Sequence, residues 1–276
     1  MDSKPFDICM HFRAASAQVH VVDPKIAGSY ELLEQAYNEM LVTTFPEEAP
    51  YETLEKWHRR LEAADAPSRY IIGISGEHLD NPKKRKLMGL FVGIYYKKAD
   101  AGVLAYNIVK PQWQGSGLGA AQVEMRRKLM LEAARQEGKK LGGIFAECND
   151  PALMPSSEDV MDPRKRIEMY AKMGGLRVPI KYSLQLGPDP ADKSDKMMLI
   201  AFPHPATEEY PQYRCIAEFI RGIYEVRGFD PEKHPDFHRM ERQLRRGFHK
   251  GRQSTEGWLI PLVNKQGRYD RHRFIL

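Results

Sequence analysis

The stretch Pro111-Gln-Trp-Gln-Gly-Ser-Gly-Leu-Gly119 places three glycines within five residues, directly before a helical pattern that starts at Ala120. A strand-like run, Gly102 to Val109, precedes it. Glycine costs up to about 1 kcal/mol in a helix relative to alanine, so a plain turn into a helix has no need of three. Backbone N–H groups at a helix start lack intrahelical acceptors, and the helix dipole favours an anion there. The stretch therefore predicts a turn that holds a phosphate group.

Two other phosphate-binding patterns compete for the same residues. A Walker A loop requires Gly-Lys-Ser/Thr at its end, and Ala120-Ala121 after Gly119 excludes it. A dinucleotide fingerprint fits Gly115, Gly117 and Ala120, with an acidic Glu147 ending the next strand. That reading leaves an NAD(P)-dependent oxidoreductase open as a weaker alternative. Against it, five residues separate the strand from the first glycine, and several strands come before the turn rather than after it.

Periodicity outward from the turn predicts a mixed α/β arrangement in the order β-α-α-β-β-β-α-β-α-β-β, rather than a regular βαβ alternation. After about residue 205 the chain becomes basic and mainly helical, which divides it into a domain at 1–205 and an extension at 206–276 that packs on the core. The predicted strands are 18–23, 69–76, 87–96, 102–109, 142–147, about 176–186 and 196–202, and the predicted helices are 29–42, 51–63, 120–137 and 163–173.

With these elements in place, Val109-Lys-Pro111-Gln-Trp-Gln114-Gly115-Ser-Gly117-Leu-Gly119 resembles the signature of the GNAT superfamily of N-acetyltransferases. The resemblance continues through the strand at 143–147, Asn149, and the helix with Tyr170 that ends at Gly174, so that it covers roughly residues 18 to 203. It implies a mostly antiparallel central sheet flanked by helices and splayed at the acyl-CoA site. The chain would carry a helical C-terminal extension in addition.

The resemblance also implies a binding site for acetyl-CoA, or another acyl-CoA, as co-substrate. One strand would pair with the pantetheine arm, the glycine turn would take the pyrophosphate, and the amide of Asn149 would bond the arm. The implied strand residues are Asn107, Ile108 and Val109, and the implied amide donors are Gln114, Gly115, Ser116, Gly117, Leu118, Gly119 and Ala120.

The implied reaction is direct attack of an amine on the thioester, and two residues are candidates for moving protons. The motif match places Tyr170 to protonate the departing thiolate, although a core aromatic would look the same. Histone-type members carry a glutamate upstream, but Ala101 to Ala105 holds no carboxylate, so Glu147 is the best substitute as general base. A solvated carboxylate at a strand end and a water chain to solvent stay open. The missing carboxylate also leaves open an acyl-CoA-binding regulatory module without turnover.

Composition sets further expectations. With 276 residues, 42% hydrophobic and 29% charged, the chain has the balance of a globular protein, and no apolar run approaches the ~20 residues of a membrane helix. The first residues lack the apolar core of a signal peptide, which predicts a cytoplasmic protein without a membrane partner. Cys9, Cys148 and Cys215 match no disulfide framework or zinc spacing, and Pro235 argues against a metal pair at His234 and His238. No metal is expected.

The basic segment at 239–252 accounts for much of the net charge of +5. A solvated helix face, an acidic partner and the 3′-phosphate of CoA are its open interpretations, while the scarcity of interleaved aromatics disfavours nucleic acid. The acceptor amine is expected to be a small molecule, and a homodimer contact through the extension stays open. The segment holds one acid, Glu241, and six cations, Arg239, Arg242, Arg245, Arg246, Lys250 and Arg252.

Overall fold

The computed structural model describes residues 8–12, 15–63, 65–155, 157, 159–185, 187, 189, 192–250, 259–264 and 266–269. The chain forms two compact units. One comprises Met1–Tyr95 and Leu104–Glu137, and the other comprises Tyr96–Val103 and Gly138–Leu276.

The strands of the first unit are β1 (Ile8–Phe12), β2 (Ala15–Val21), β3 (Ser68–Glu77), β4 (Lys86–Tyr96) and β5 (Ala101–Val109), of which Tyr96 and Ala101–Val103 belong to the second unit, and its helices are α1 (Ser29–Ala36), α2 (Val42–Thr44), α3 (Leu54–Glu62) and α4 (Leu118–Gln136). The strands follow one another in the order in which the chain forms them, with β1 paired antiparallel to β2 and β2 to β3. A π-helix, Tyr37–Leu41, joins α1 to α2.

Helices cover both faces of these strands, which is why β3 and β4 are apolar along nearly their whole length. One face packs with α1 and α3 around Trp57, which is completely buried. The other packs with α4 around Phe91 and Leu118. Gly73 makes room for the Phe91 ring, because a Cβ there would lie 2.0 Å from its Cζ atom.

The strands of the second unit are β6 (Gly143–Asn149), β7 (Leu176–Arg177), β8 (Leu184–Gln185), β9 (Lys193–Ser194), β10 (Met197–Phe202) and β11 (Ile260–Pro261), and its helices are α5 (Pro163–Lys172), α6 (Tyr213–Val226) and α7 (Pro235–Lys250). The unit is built on β6, with Ala101–Val103, the part of β5 that belongs to this unit, parallel on one side and β10 antiparallel on the other. The parallel register joins Ala101–Val103 to Gly143–Phe145, and the strand order continues from β10 to β7 and β11.

Alternation along β6 and β10 gives this unit two faces. Phe145 stacks on Phe219 of α6 with ring centroids 4.3 Å apart, so α6 covers the face that carries Phe145. Phe202 pairs with Ile144 across the strands and therefore lies on the opposite face, where its ring meets Tyr170 of α5. The α6 part of the extension after residue 205 thus packs on β6.

The predicted fold class is confirmed, because the chain is mixed α/β with a large, mostly antiparallel sheet flanked by helices and with helices at its C-terminal end. The prediction did not include β1, and within the described part of the segment predicted as a strand at 176–186 the structure has β7 and β8, each of two residues. Pro235 does not interrupt a helix. It is the first residue of α7, a position where its missing N–H costs no intrahelical bond.

Two absences hold for the part of the chain that the structure describes. None of its helices combines the length and the apolar character that a membrane crossing requires. No set of three or more His, Cys, Asp or Glu side chains there is grouped as a metal ion would need. Of the basic segment, residues 251 and 252 and the side chains of His249 and Lys250 lie outside the described residues.

Candidate functional site

The glycine turn of the first unit lies between strand β5 and helix α4, which is the placement that the sequence predicted. A short 3-10 helix, Pro111–Trp113, leads into Gly115 and Gly117, whose φ values of 77° and 99° lie in the left-handed region. Residues with a Cβ rarely adopt this conformation, so both positions require glycine. The first helical bond of α4 runs from the amide of Ala121 to the carbonyl of Gly117 over 3.1 Å. The amides before Ala121 therefore have no intrahelical acceptor.

Three of the predicted amide donors already bond inside the turn. The Gln114 amide donates to Pro111 O over 3.2 Å, and the Ser116 amide donates to Trp113 O over 3.3 Å. The Leu118 amide donates to the Ser116 hydroxyl, which itself donates to Trp113 O over 2.6 Å. A phosphate would have to compete with these bonds, and the contacts predicted for the other members of the set stay predictions. Those members are Gly115, Gly117, Gly119 and Ala120.

Strand β5 presents one of its faces to this turn. The Asn107 side-chain amide donates to the Gly119 carbonyl over 3.2 Å, and a Cβ on Gly119 would lie 3.6 Å from Val109 Cγ2. Side chains alternate along a strand, so Tyr106 and Ile108 lie on the other face of β5, where they belong to the cluster around Trp57. The turn is therefore fixed against the Asn107 face of the strand whose backbone the resemblance assigns to pantetheine.

A buried arginine holds the same strand from α4. Arg126 is 1% exposed, and its Nη1 donates to Tyr106 O over 2.9 Å and to Val92 O over 3.3 Å. These charge-assisted bonds fix the carbonyl directly before Asn107. The sequence analysis missed this residue. The sequence could have indicated its burial, because Arg126 follows Leu118 and Gln122 and precedes Met130 at intervals of four residues, which places all four on one face of α4.

The opposite face of β5 carries a tyrosine bonded to a carboxylate. The Tyr106 hydroxyl donates to Glu48 Oε2 over 2.5 Å. The ring lies against two further aromatics, with its centroid 5.3 Å from that of Phe45 and 6.3 Å from that of Trp57. The Trp57 indole in turn donates to Glu52 over 3.1 Å. Sequence reasoning also missed this cluster, because its members lie on three different elements.

In the second unit, the carboxylate of Glu147 accepts a hydrogen bond from the hydroxyl of Tyr182. Tyr182 is 1% exposed, and burial, then the negative charge of Glu147 and the bond to it, raise the pKa of this phenol well above its ordinary value. Tyr182 therefore stays protonated and keeps donating to Glu147. This partner, 35 residues away along the chain, was not predicted.

The side chain of Asn149 is also engaged. Its amide donates to Asp159 Oδ2 over 2.8 Å, and Arg166 holds the same carboxylate through two bonds of 2.8 and 2.6 Å. Burial would raise the pKa of Asp159, but the bonds from Arg166 and Asn149 outweigh burial and lower it. To bond a pantetheine arm, as predicted, the side chain of Asn149 would have to bind the arm in addition to Asp159, or give up its hydrogen bond to Asp159.

The structure does not bring the two predicted catalytic residues of this unit together. Tyr170 is 7% exposed and meets Phe202 edge to face, whereas Glu147 lies on the face of β6 that carries Phe145. Neighbouring Cys148 is buried, and burial raises the pKa of its thiol to about 12, which leaves it protonated and a poor nucleophile. The predicted residues up to Ala120 thus lie in the first unit, and Glu147, Asn149 and Tyr170 lie in the second.

No family model matches the chain, and neither does any curated protein sequence. Among solved structures it is similar to a GNAT-family protein from Bacteroides thetaiotaomicron, at 17% identity and a TM-score of 0.49 over 74% of this chain and 97% of that one. It is also similar to the ribosomal-protein-S18-alanine N-acetyltransferase from Escherichia coli, at 12% identity and a TM-score of 0.41 over 68% of this chain and 94% of that one. A third similar structure is the PaiA N-acetyltransferase from Thermoplasma acidophilum in complex with coenzyme A, at 11% identity and a TM-score of 0.40 over 66% of this chain and 97% of that one.

These matched structures include members of the superfamily that the glycine turn resembles. At such identities and scores they assign neither a substrate nor a residue role to this chain.

Proposed function

We propose that this chain is an acyl-CoA-dependent N-acyltransferase, with acetyl-CoA as the expected donor and a small-molecule amine as the acceptor. The observation that carries the proposal is the turn at Gly115 and Gly117, whose left-handed backbone opens a 19-residue helix beside β5. This geometry suits a pyrophosphate, because helix-start amides and the helix dipole both favour an anion. The bond from Asn107 to Gly119 keeps the turn and the strand in one fixed relation.

In the proposed reaction the nitrogen of a neutral amine attacks the thioester carbon, a C–N bond forms and the C–S bond breaks. Negative charge develops on the carbonyl oxygen, and a backbone N–H among Asn107, Ile108 and Val109 would stabilise it without reorganisation. Arg126 supports this role, since its bond to Tyr106 O fixes the peptide that precedes Asn107. Tyr170 would supply the proton that the departing sulfur needs.

The proton of the amine needs a separate acceptor. The sequence indicated Glu147 as this general base, and that role stays a prediction. Its bond from Tyr182 and its position on the opposite face of β6 from Tyr170 favour a supporting role in the core instead. These observations also favour a second candidate function, an acyl-CoA-binding module without turnover.

The test compares binding with turnover. Acetyl-CoA and NADH would be titrated separately in a thermal-shift assay, and CoA release would then be followed with a thiol reagent over a panel of primary amines. We expect stabilisation by acetyl-CoA and release of CoA with at least one amine. Tight binding with no release on any amine would establish the binding module instead, and stabilisation by NADH alone would overturn both readings.

Tyr170→Phe tests the assigned proton donor, because it keeps the ring that packs on Phe202 and removes the hydroxyl. We expect kcat to fall by roughly 10²-fold with the affinity for acetyl-CoA unchanged, since the proton matters only as the C–S bond breaks. Tyr210→Phe is a matched control, because it removes a hydroxyl that donates to the Gly174 carbonyl nearby. An unchanged kcat in Tyr170→Phe would remove Tyr170 from the mechanism.

A further inference from the structure

We propose that helix α7 is a docking surface for an acidic segment of another protein, which binds a row of arginines on the side of the helix that faces away from the core. This inference goes beyond the proposed acyl transfer and does not depend on it. The occupant that fits is a short peptide stretch whose carboxylates are about 6 Å apart. The row is called the arginine ridge, and its members are Arg239, Arg242 and Arg246.

The ridge lies opposite the buried side of α7. Phe237, Met240 and Leu244 are at most 2% exposed and form the inner side of the helix. Each arginine of the ridge follows one of these three residues by two positions. In an α-helix two positions correspond to roughly 200° around the axis, so the arginines lie on the outward side. With a rise of about 1.5 Å per residue, the ridge extends about 10 Å along the axis.

The acids of α7 are bound to cations outside the rest of the ridge. The helix carries two carboxylates, Asp236 and Glu241. Asp236 binds Lys193 over 2.7 Å and also binds Arg239, at one end of the ridge. Glu241 binds Arg245 over 2.9 Å on the flank of the helix. Neither carboxylate therefore neutralises the remaining two arginines.

Those two arginines are available to a partner, and a lysine from another segment lies beside them. Arg242 and Arg246 are exposed, and among the residues that the structure describes neither has an ion pair with an acid. The amide of Lys181 donates to Gln243 Oε1 over 2.9 Å, and its carbonyl accepts from Arg239 Nη2 over 3.3 Å. The Lys181 side chain is exposed and likewise has no acid partner in the described part of the chain. Two segments thus build one positively charged surface.

The chemistry of this surface selects carboxylates. Between residues 239 and 246 every exposed side chain of α7 is an arginine, so the surface lacks the apolar centre on which many protein interfaces depend. A guanidinium group binds a carboxylate through two parallel hydrogen bonds, and clusters of arginines recognise acidic motifs in this way. Arg242 and Arg246 are about 6 Å apart along the axis. Alternate side chains of an extended peptide are about 6.6 Å apart, so carboxylates on every second residue match them.

A nucleic-acid backbone fits the ridge less well. Proteins that are held on duplex DNA by phosphate contacts commonly make about 6–10 of them, and a ridge of about 10 Å reaches fewer. Single strands are bound by stacking of their bases on aromatic side chains, and the exposed residues of α7 from 239 to 246 include none. The small number of cations therefore favours a short acidic segment.

Calorimetry with a peptide of alternating glutamate and serine, about eight residues long, tests the proposal on the full-length chain at about 0.05 M NaCl. The decisive variant is Arg242→Gln/Arg246→Gln, since glutamine suits a helix and removes the charge. Its matched control is Lys165→Gln/Lys172→Gln, which removes the same charge from two exposed positions of α5. We expect the arginine variant to weaken binding by roughly tenfold or more and the lysine variant by less than about twofold. Circular dichroism would confirm that both variants are folded.

Several outcomes would overturn the proposal. They are an absence of binding to the wild type at about 1 mM peptide, equal losses in the two variants, and equal binding of a peptide with glutamine in place of glutamate. A short RNA duplex that binds the wild type more tightly than the acidic peptide, and loses affinity in the arginine variant, would identify a nucleic-acid partner instead. Acetyl-CoA is titrated in parallel. Weaker acetyl-CoA binding in the arginine variant, with unchanged peptide binding, would assign the ridge to the 3′-phosphate of CoA.

Discussion

Replacing Tyr182 by phenylalanine should change the stability of the protein in a way that depends on pH, above about pH 10. The phenol is 1% exposed and donates to the carboxylate of Glu147. Burial first, then the charge of Glu147 and the bond to it, raise its pKa well above the ordinary value of 10.0. Tyr182→Phe keeps the ring in place and removes only the group that titrates.

The direction of this pH dependence follows from the linkage between proton binding and folding. Below about pH 10 the phenol is protonated in both the folded and the unfolded chain, so it adds no pH dependence. At higher pH the unfolded chain releases this proton while the folded chain retains it. The free energy of unfolding then falls by about 1.4 kcal/mol per pH unit until the folded pKa is reached. At neutral pH the lost bond to a charged acceptor should itself cost about 2 kcal/mol.

Urea unfolding followed by circular dichroism would measure this difference at several values between about pH 8 and pH 11. We expect the wild type to be more stable than Tyr182→Phe by about 2 kcal/mol at pH 8. The gap should narrow by about 1.4 kcal/mol for each unit above pH 10. Tyr51→Phe, which removes a hydroxyl from a residue that is 68% exposed, is the control for loss of a surface phenol. Parallel stability curves for the wild type and Tyr182→Phe would refute the reasoning.

Three further changes test other parts of the structure. Gly117→Ala should lower the free energy of unfolding by about 1–2 kcal/mol, because its backbone is left-handed, and should weaken acetyl-CoA binding in calorimetry. Its control is Gly138→Ala, where φ is 68° and an added Cβ would meet open space, so that this variant should lose stability without a change in binding. Arg177→Met should cost about 3–5 kcal/mol in urea unfolding, because it strands the charge of Asp150, which is buried and bonded to it over 3.2 Å. Arg126→Met should cost about 3 kcal/mol and weaken acetyl-CoA binding, since Tyr106 O and Val92 O lose a charged donor.

The sequence was informative where structure is set by neighbouring residues. The turn from Gly115 to α4 could be predicted because left-handed residues and a helix start leave a local pattern. Long apolar strands such as β3 and β4 could be predicted for the same reason. The five-residue strand β1 escaped because its place depends on antiparallel pairing with β2, which no short-range pattern records.

The candidate site could be predicted only in part, because its partners are distant along the chain. Tyr106 and Glu48 are 58 residues apart, and Tyr182 and Glu147 are 35 apart. Each pair is made by packing, so neither has a spacing that a sequence pattern could reveal. Asn149 shows the same limit, since the motif indicated its position and gave no sign that Asp159 would accept its amide.

The hydrogen bonds that tyrosines donate to carboxylates differ in their exposure to solvent. Tyr182 is 1% exposed, and burial first, then the charge of Glu147 and the bond to it, raise the pKa of its phenol well above the ordinary value. Glu48 is exposed, and Tyr106, which donates to it, is only partly buried. Water competes for a donor and an acceptor that it can reach, so a hydrogen bond shielded from water contributes more to stability than an exposed one. The bond from Tyr182 to Glu147 should therefore contribute more to the free energy of unfolding than the bond from Tyr106 to Glu48.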